Sequence, residues 1–119
     1  MNTDCTIYKT ADFIGKRWAL LVLLEIYKGG GGWKRYSELK RGMAGITPKI
    51  LSQRLKELEK EGLVSRRADT GSVPIKVEYS LTKSGHAFMG VIKGMKQWAL
   101  EWKLSNKKCE NSDCSKCML

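Results

Sequence analysis

Apolar residues recur along this chain in blocks whose period changes from helical to extended and back again. Residues Thr6 to Gly15 carry a weak helical pattern. Arg17 to Lys28, RWALLVLLEIYK, read as a strongly buried helix, ended by the glycines at 29–32, which tolerate the left-handed backbone of a helix stop. RYSELKRGMAG predicts a short helix opened by Ser37. In GITPKILSQRLKELEKEGLV, Thr47 suits an N-cap, and Pro48 sits at the first helical position, where its missing N–H costs nothing. Leu51, Leu55 and Leu58 share one face of that helix. At about 100° per residue, Lys49, Ser52, Gln53, Lys56 and Lys60 gather on the opposite face. Gly62 ends the helix.

The period then drops to two. LVSRRAD and IKVEYSL predict paired strands, and in the second Ile75, Val77, Tyr79 and Leu81 alternate with Lys76, Glu78 and Ser80. Gly71 and Pro74 mark the loop between them. Thr82 or Ser84 can cap a last long helix. On it Phe88, Val91, Ile92, Met95, Trp98, Ala99 and Trp102 form one stripe, while Gly90 and Gly94 weaken it locally. Beyond Leu104 regular structure is expected to stop. The fold this order describes is mainly α with a small β-hairpin wing, a winged helix-turn-helix with a helical extension at each end. Residues 1–104 are expected to form that domain and 105–119 a cysteine-containing C-terminal tail.

At 119 residues the chain makes one domain with a modest core. Its longest apolar run, Trp18 to Leu24, is too short to span a bilayer, and MNTDCTIYKT lacks the pattern of a signal peptide. The expectation is a cytoplasmic protein with no membrane partner. Twenty-two basic against twelve acidic residues leave a net charge of +10, which draws polyanions and above all nucleic acid.

That charge is concentrated where the architecture would present it to double-stranded DNA. Gln53 can offer a donor and an acceptor together to an adenine edge, and Lys49 can reach guanine acceptors. Ser52 and Lys56 suit base edges or phosphates. The N-terminal part of the second helix of a helix-turn-helix enters the major groove, which singles out Lys49, Ser52 and Gln53. Arg66, Arg67 and Lys76 on the hairpin would lie along the backbone or probe a minor groove. Lys34, Arg35, Lys40 and Arg41 are candidates for flanking phosphates. Arg54 lies on the flank of its helix, equally suited to a structural ion pair.

FIGKRWALLVLLEIYKGGGGWKRYSELKRGMAGITPKILSQRLKELEKEGLVSRR followed by VEYSLTKSGHAFMGVI resembles the HxlR-type family of transcriptional regulators. The likeness runs from about Cys5 to about Trp102. It rests on GKRWALLVL, RYSEL, ITPKILSQRLKELEKEGLV and VEYSLTKSG, in that order. The resemblance implies a homodimeric winged-helix DNA-binding protein, paired through its terminal helices, that represses or activates nearby genes. It also implies a redox- or electrophile-sensing role for Cys5. Two features depart from the family pattern: Thr6 stands where a proline is usual, and four glycines lengthen a normally tight turn.

The stripe on the last helix, with its two tryptophans, supports a homodimer on a palindromic operator; otherwise it completes the chain's own core. Trp18, Trp98 and Trp102 read as core residues, with a ligand pocket as the alternative. The four thiols allow three readings. Cys5, Cys109, Cys114 and Cys117 supply the four ligands of a zinc ion or an iron–sulfur cluster. Alternatively, lysines beside the tail thiols favour a disulfide switch. The third reading is a passive tail. An enzyme is not expected, because the single histidine, His86, has no nucleophile motif around it and no phosphate loop exists. The rival is a non-specific nucleic-acid-binding or protein-interaction winged-helix protein.

Overall fold

The computed structural model describes residues 2–30, 32–111 and 113–116, and for Lys108 and Cys109 the backbone alone. Helix α1 spans Thr6–Ile14 and α2 Ala19–Tyr27; strand β1, Lys34–Arg35, leads directly into α3, Tyr36–Gly42. Helix α4 covers Pro48–Lys60, strands β2 and β3 cover Val64–Asp69 and Lys76–Leu81, and α5 runs over Lys83–Trp102. The expected helices and hairpin are present in the expected order.

Several boundaries differ for local reasons. Trp18 has φ of +79°, in the left-handed region, so α2 starts at Ala19 rather than Arg17. Helix α3 opens after Arg35, whose amide donates to Glu38 Oε1 at 3.4 Å, so Ser37 lies inside it. Strand β1 pairs antiparallel with β3, Lys34 opposite Tyr79 and Arg35 opposite Glu78, and makes the sheet three-stranded in the order β1-β3-β2. The tail is not free of regular structure. A single turn, α6, covers Lys107–Glu110, and a 3₁₀ turn covers Cys114–Lys116.

The core lies where α2, α3 and α4 meet the sheet. Val22, Leu23, Ile26, Leu39, Leu51, Leu55 and Leu58 are each at most 1% exposed. Val64, Tyr79 and Leu81 close it from the sheet, and Met89 and Ile92 from α5. Burial fades toward the hairpin tip: Val77 is half-buried and Ile75, just outside β3, is exposed. The alternation in β3 therefore marks a core face only at its C-terminal end.

Two caps fix the long helices. Thr47 Oγ1 accepts the Ile50 amide at 3.2 Å. Thr82 Oγ1 accepts the Gly85 amide at 3.1 Å, while its hydroxyl donates to the Gly62 carbonyl at 2.6 Å. That second bond ties the start of α5 to the end of α4. Thr82→Ala is expected to cost about 1–2 kcal/mol, because it removes a cap and strips a carbonyl of its partner. Urea denaturation measures this, and an unchanged midpoint would contradict the assignment.

The apolar stripe of α5 is wider than the surface available to cover it. Met89 and Ile92 are buried and Phe88 is half-buried, whereas Met95, Trp98 and Trp102 are 51%, 54% and 68% exposed. The stripe does not complete the chain's own core, and Trp98 and Trp102 are not core residues of the single chain. The exposed rows on α5 and on α1, where Ile7 is also open, form arms beyond the core. The radius of gyration, 15.3 Å, exceeds the about 13.5 Å of a compact domain of this length.

Candidate nucleic-acid interface

Three elements converge on one face of the molecule. Helix α4 is anchored from below by Leu51, Leu55 and Leu58, which turns Lys49, Ser52, Gln53 and Lys56 outward, all four exposed. The hairpin β2–β3 stands beside it. Between them lies a cleft of about 430 Å³ lined by residues that include Arg35, Tyr36, Ser52, Arg66 and Lys76. A second, smaller cleft joins Ser52, Lys56 and Arg66. Lys49 and Gln53 stand on the open helix surface rather than in these clefts. Arg66 lies opposite Tyr79 and Lys76 opposite Asp69 in the β2–β3 register.

Other cations have structural partners. Arg54 Nε donates to the Arg17 carbonyl at 2.8 Å, and its guanidinium pairs with Glu57 at 3.2 Å. Lys16 reaches the same carboxylate at 3.2 Å, so the α1–α2 turn is tied to α4. This is the structural option that its flanking position left open. Lys34 Nζ donates to the Glu25 carbonyl at 2.8 Å, near the C-terminal end of α2, where a cation complements the helix dipole. That contact holds the Lys34 ammonium against the end of α2.

Arg67 is engaged twice. Its Nε donates to Glu78 Oε1 at 3.1 Å, and its guanidinium lies 4.2 Å from the centroid of the Trp33 ring. Glu78 sits opposite Arg67 on β2 and opposite Arg35 on β1, and its carboxylate pairs with Arg67. Sequence reasoning missed Trp33 and Tyr36 as parts of this face. The missing signal was β1, a two-residue strand too short to show a period.

The hairpin tip is held by Asp69, whose carboxylate accepts the Gly71 amide at 3.0 Å and the Ser72 hydroxyl at 2.9 Å. The Ser72 hydroxyl first, then the Gly71 amide and nearby Lys76, hold its carboxyl below the ordinary value. A lowered folded value means that this contribution is present above the ordinary carboxylate range and is lost as pH falls through the lowered value.

The thiols do not assemble on the described part of the chain. Cys5 precedes α1 and Cys114 lies in the tail, both free and half-buried. Among the described residues no group of three or more His, Cys, Asp or Glu side chains is placed to hold a metal ion. The Cys109 side chain and Cys117 lie outside the described residues, and with them two of the ligands expected for zinc or an iron–sulfur cluster. The tail folds back on the glycine turn: the Gly29 amide donates to the Ser115 carbonyl at 2.7 Å. A cleft of about 680 Å³ lies between α5 and the tail, lined by Lys93, Lys96, Asp113 and Cys114 among others and by none of the tryptophans. His86 sits on the first turns of α5, edge-on to Tyr27 at 6.2 Å. No helix among the described residues is long and apolar enough to cross a membrane.

The profile of the HxlR-like helix-turn-helix family matches residues 13–107. The chain is 44% identical over 95 residues to the uncharacterized HTH-type transcriptional regulator YkvN of Bacillus subtilis, a match covering 80% of this chain and 77% of that protein. The reduced form of the transcriptional regulator YodB from B. subtilis superposes with a TM-score of 0.69 at 33% identity, over 86% of this chain and 97% of YodB. The redox regulator HypR in its oxidized form gives 0.68 at 36% identity, over 84% of this chain and 99% of HypR. Fold and family match agree: the chain belongs to the HxlR-like helix-turn-helix family, a winged-helix regulator of transcription and not an enzyme.

Proposed function

We propose that this protein binds a specific palindromic operator as a homodimer, reading bases with Lys49, Ser52 and Gln53 of α4. The observation that carries this reading is the division of α4 itself. One face is sealed into the core by three leucines, and the other is exposed, polar and basic beside a cationic wing. Lys56, Arg66 and Lys76 bind the phosphate backbone. Arg67 shares its charge between Glu78 and the duplex and chiefly holds the wing in position. Residues 1–104 act as the DNA-binding and pairing unit, and 105–119 as an appended tail. The homodimer forms through the exposed rows of α1 and α5. Burying Met95, Trp98 and Trp102 would remove apolar surface that a single chain leaves in water.

Base readers and phosphate binders separate experimentally. Gln53→Ala is expected to lower affinity for the selected operator about tenfold or more while leaving random duplex nearly unchanged. Lys76→Ala is expected to weaken both alike and to reduce the slope of log affinity against log salt by about 1. Titrations in which Gln53→Ala weakens specific and random DNA equally would support non-specific coating instead.

Control through a thiol is the regulatory part of this proposal. It is supported by the likeness to YodB, also solved after diamide treatment, and to HypR, a redox regulator solved in oxidized form. Cys5 is the thiol next to the pairing helix α1, half-buried and unbonded to another cysteine. Diamide is expected to change operator affinity of the wild type at least fivefold and to leave Cys5→Ser unaffected. An equal response of the two proteins would remove Cys5 from that role.

A further inference from the structure

The hydroxyl of Tyr36 meets α4 at two points. It donates to the Pro48 carbonyl at 3.1 Å and lies 3.3 Å from Ser52 Oγ. Pro48 is the first residue of α4, so its carbonyl also accepts the Ser52 amide in the helical ladder. A carbonyl oxygen has two lone pairs, and these two donors fill both. A helical serine commonly returns its hydroxyl to the carbonyl four residues back, which for Ser52 is Pro48. Tyr36 occupies that place. The single phenolic proton of Tyr36 is directed to Pro48, so the proton between Tyr36 and Ser52 comes from Ser52. Ser52 is left with free acceptor lone pairs on an exposed side chain that lines both clefts between α4 and the wing.

We propose that Tyr36 is a positioning residue for base readout: it fixes Ser52 as an acceptor that selects a base carrying an amino donor in the major groove. Cytosine N4 and adenine N6 are the amino groups available there, whereas guanine O6 and thymine O4 offer only acceptors. Phosphate oxygens, also acceptors, are refused for the same reason. Ser52 thereby complements its cationic neighbours Lys49 and Lys56, which can only donate. The inference rests on α4 being the recognition helix and adds a hydrogen-bond polarity that the residue types alone leave open.

The test is equilibrium titration of the full chain with duplexes in which the selected site is changed one base pair at a time. The wild type is expected to prefer the amino-bearing base at one position of each half-site by about fivefold, the worth of one hydrogen bond. Tyr36→Phe brings that position close to parity and leaves the others as they are. Ser52→Ala does the same, and the double variant loses nothing more than either single one. A role confined to holding α4 in place would weaken every duplex equally. Such a uniform loss, or a wild-type profile for Tyr36→Phe, overturns the inference while Gln53→Ala still shows its own effect. A wild type with no preference at any position overturns the recognition-helix reading, and this inference with it.

Discussion

Introducing two lysines on the open row of α5, Met95→Lys with Trp98→Lys, is expected to leave the fold intact and to reduce operator affinity at least a hundredfold. Both side chains are about half exposed in the single chain, so charging them removes little of its own core. In a dimer, four added charges would face each other across an apolar seam and be desolvated without partners, at a cost well above that of a surface change. Two linked half-site contacts exceed either alone by about 10²–10⁴ through effective concentration, and that factor disappears when the copies separate. Sedimentation equilibrium reads the oligomer, and circular dichroism confirms that the variant is folded. A wild type that sediments as a monomer, or a folded variant that binds its operator unchanged, would contradict pairing through α5.

The second large effect belongs to the buried side of α4. Leu55→Ala is expected to cost about 3–5 kcal/mol, because the residue is 1% exposed and packed where α4 meets the core. Against a total stability of about 5–15 kcal/mol for a domain of this kind, that is a large share. Chemical denaturation followed by tryptophan fluorescence measures it. A loss below about 1 kcal/mol would show that α4 is not seated as described. Lys60→Ala, on the same helix but exposed, is the control and is expected to shift stability by less than about 0.5 kcal/mol.

Much of this architecture is written in short-range patterns. The two periods, the Thr47–Pro48 start and the glycines after α2 and α4 define four helices and a hairpin, because each signal is local and strong. The exposed face of α4 follows directly from its leucines. What escaped was whatever depends on contacts distant in sequence. Strand β1 exists because β3 offers it an edge, and two residues carry no period of their own. Lys34 meets the Glu25 carbonyl because β1 carries it there, and Arg67 meets Glu78 across the β2–β3 ladder. Ser37 resembles a cap in sequence, yet Arg35 holds the N-cap position and the helix begins at Tyr36, where the chain leaves β1. The tail docks where the Gly29 amide donates to the Ser115 carbonyl, and no tail pattern announces that docking. The stripe on α5 is legible as apolar, but only the packed chain separates the rows it covers from the rows it leaves open.

The most direct test of sequence-specific binding by a paired winged helix is selection of bound duplexes from a random pool by the reduced wild-type protein. The expected result is enrichment of an inverted repeat whose half-sites are centred about one helical turn, roughly 34 Å, apart. A pool that remains random after repeated rounds, or that converges on a single unpaired half-site, would contradict it.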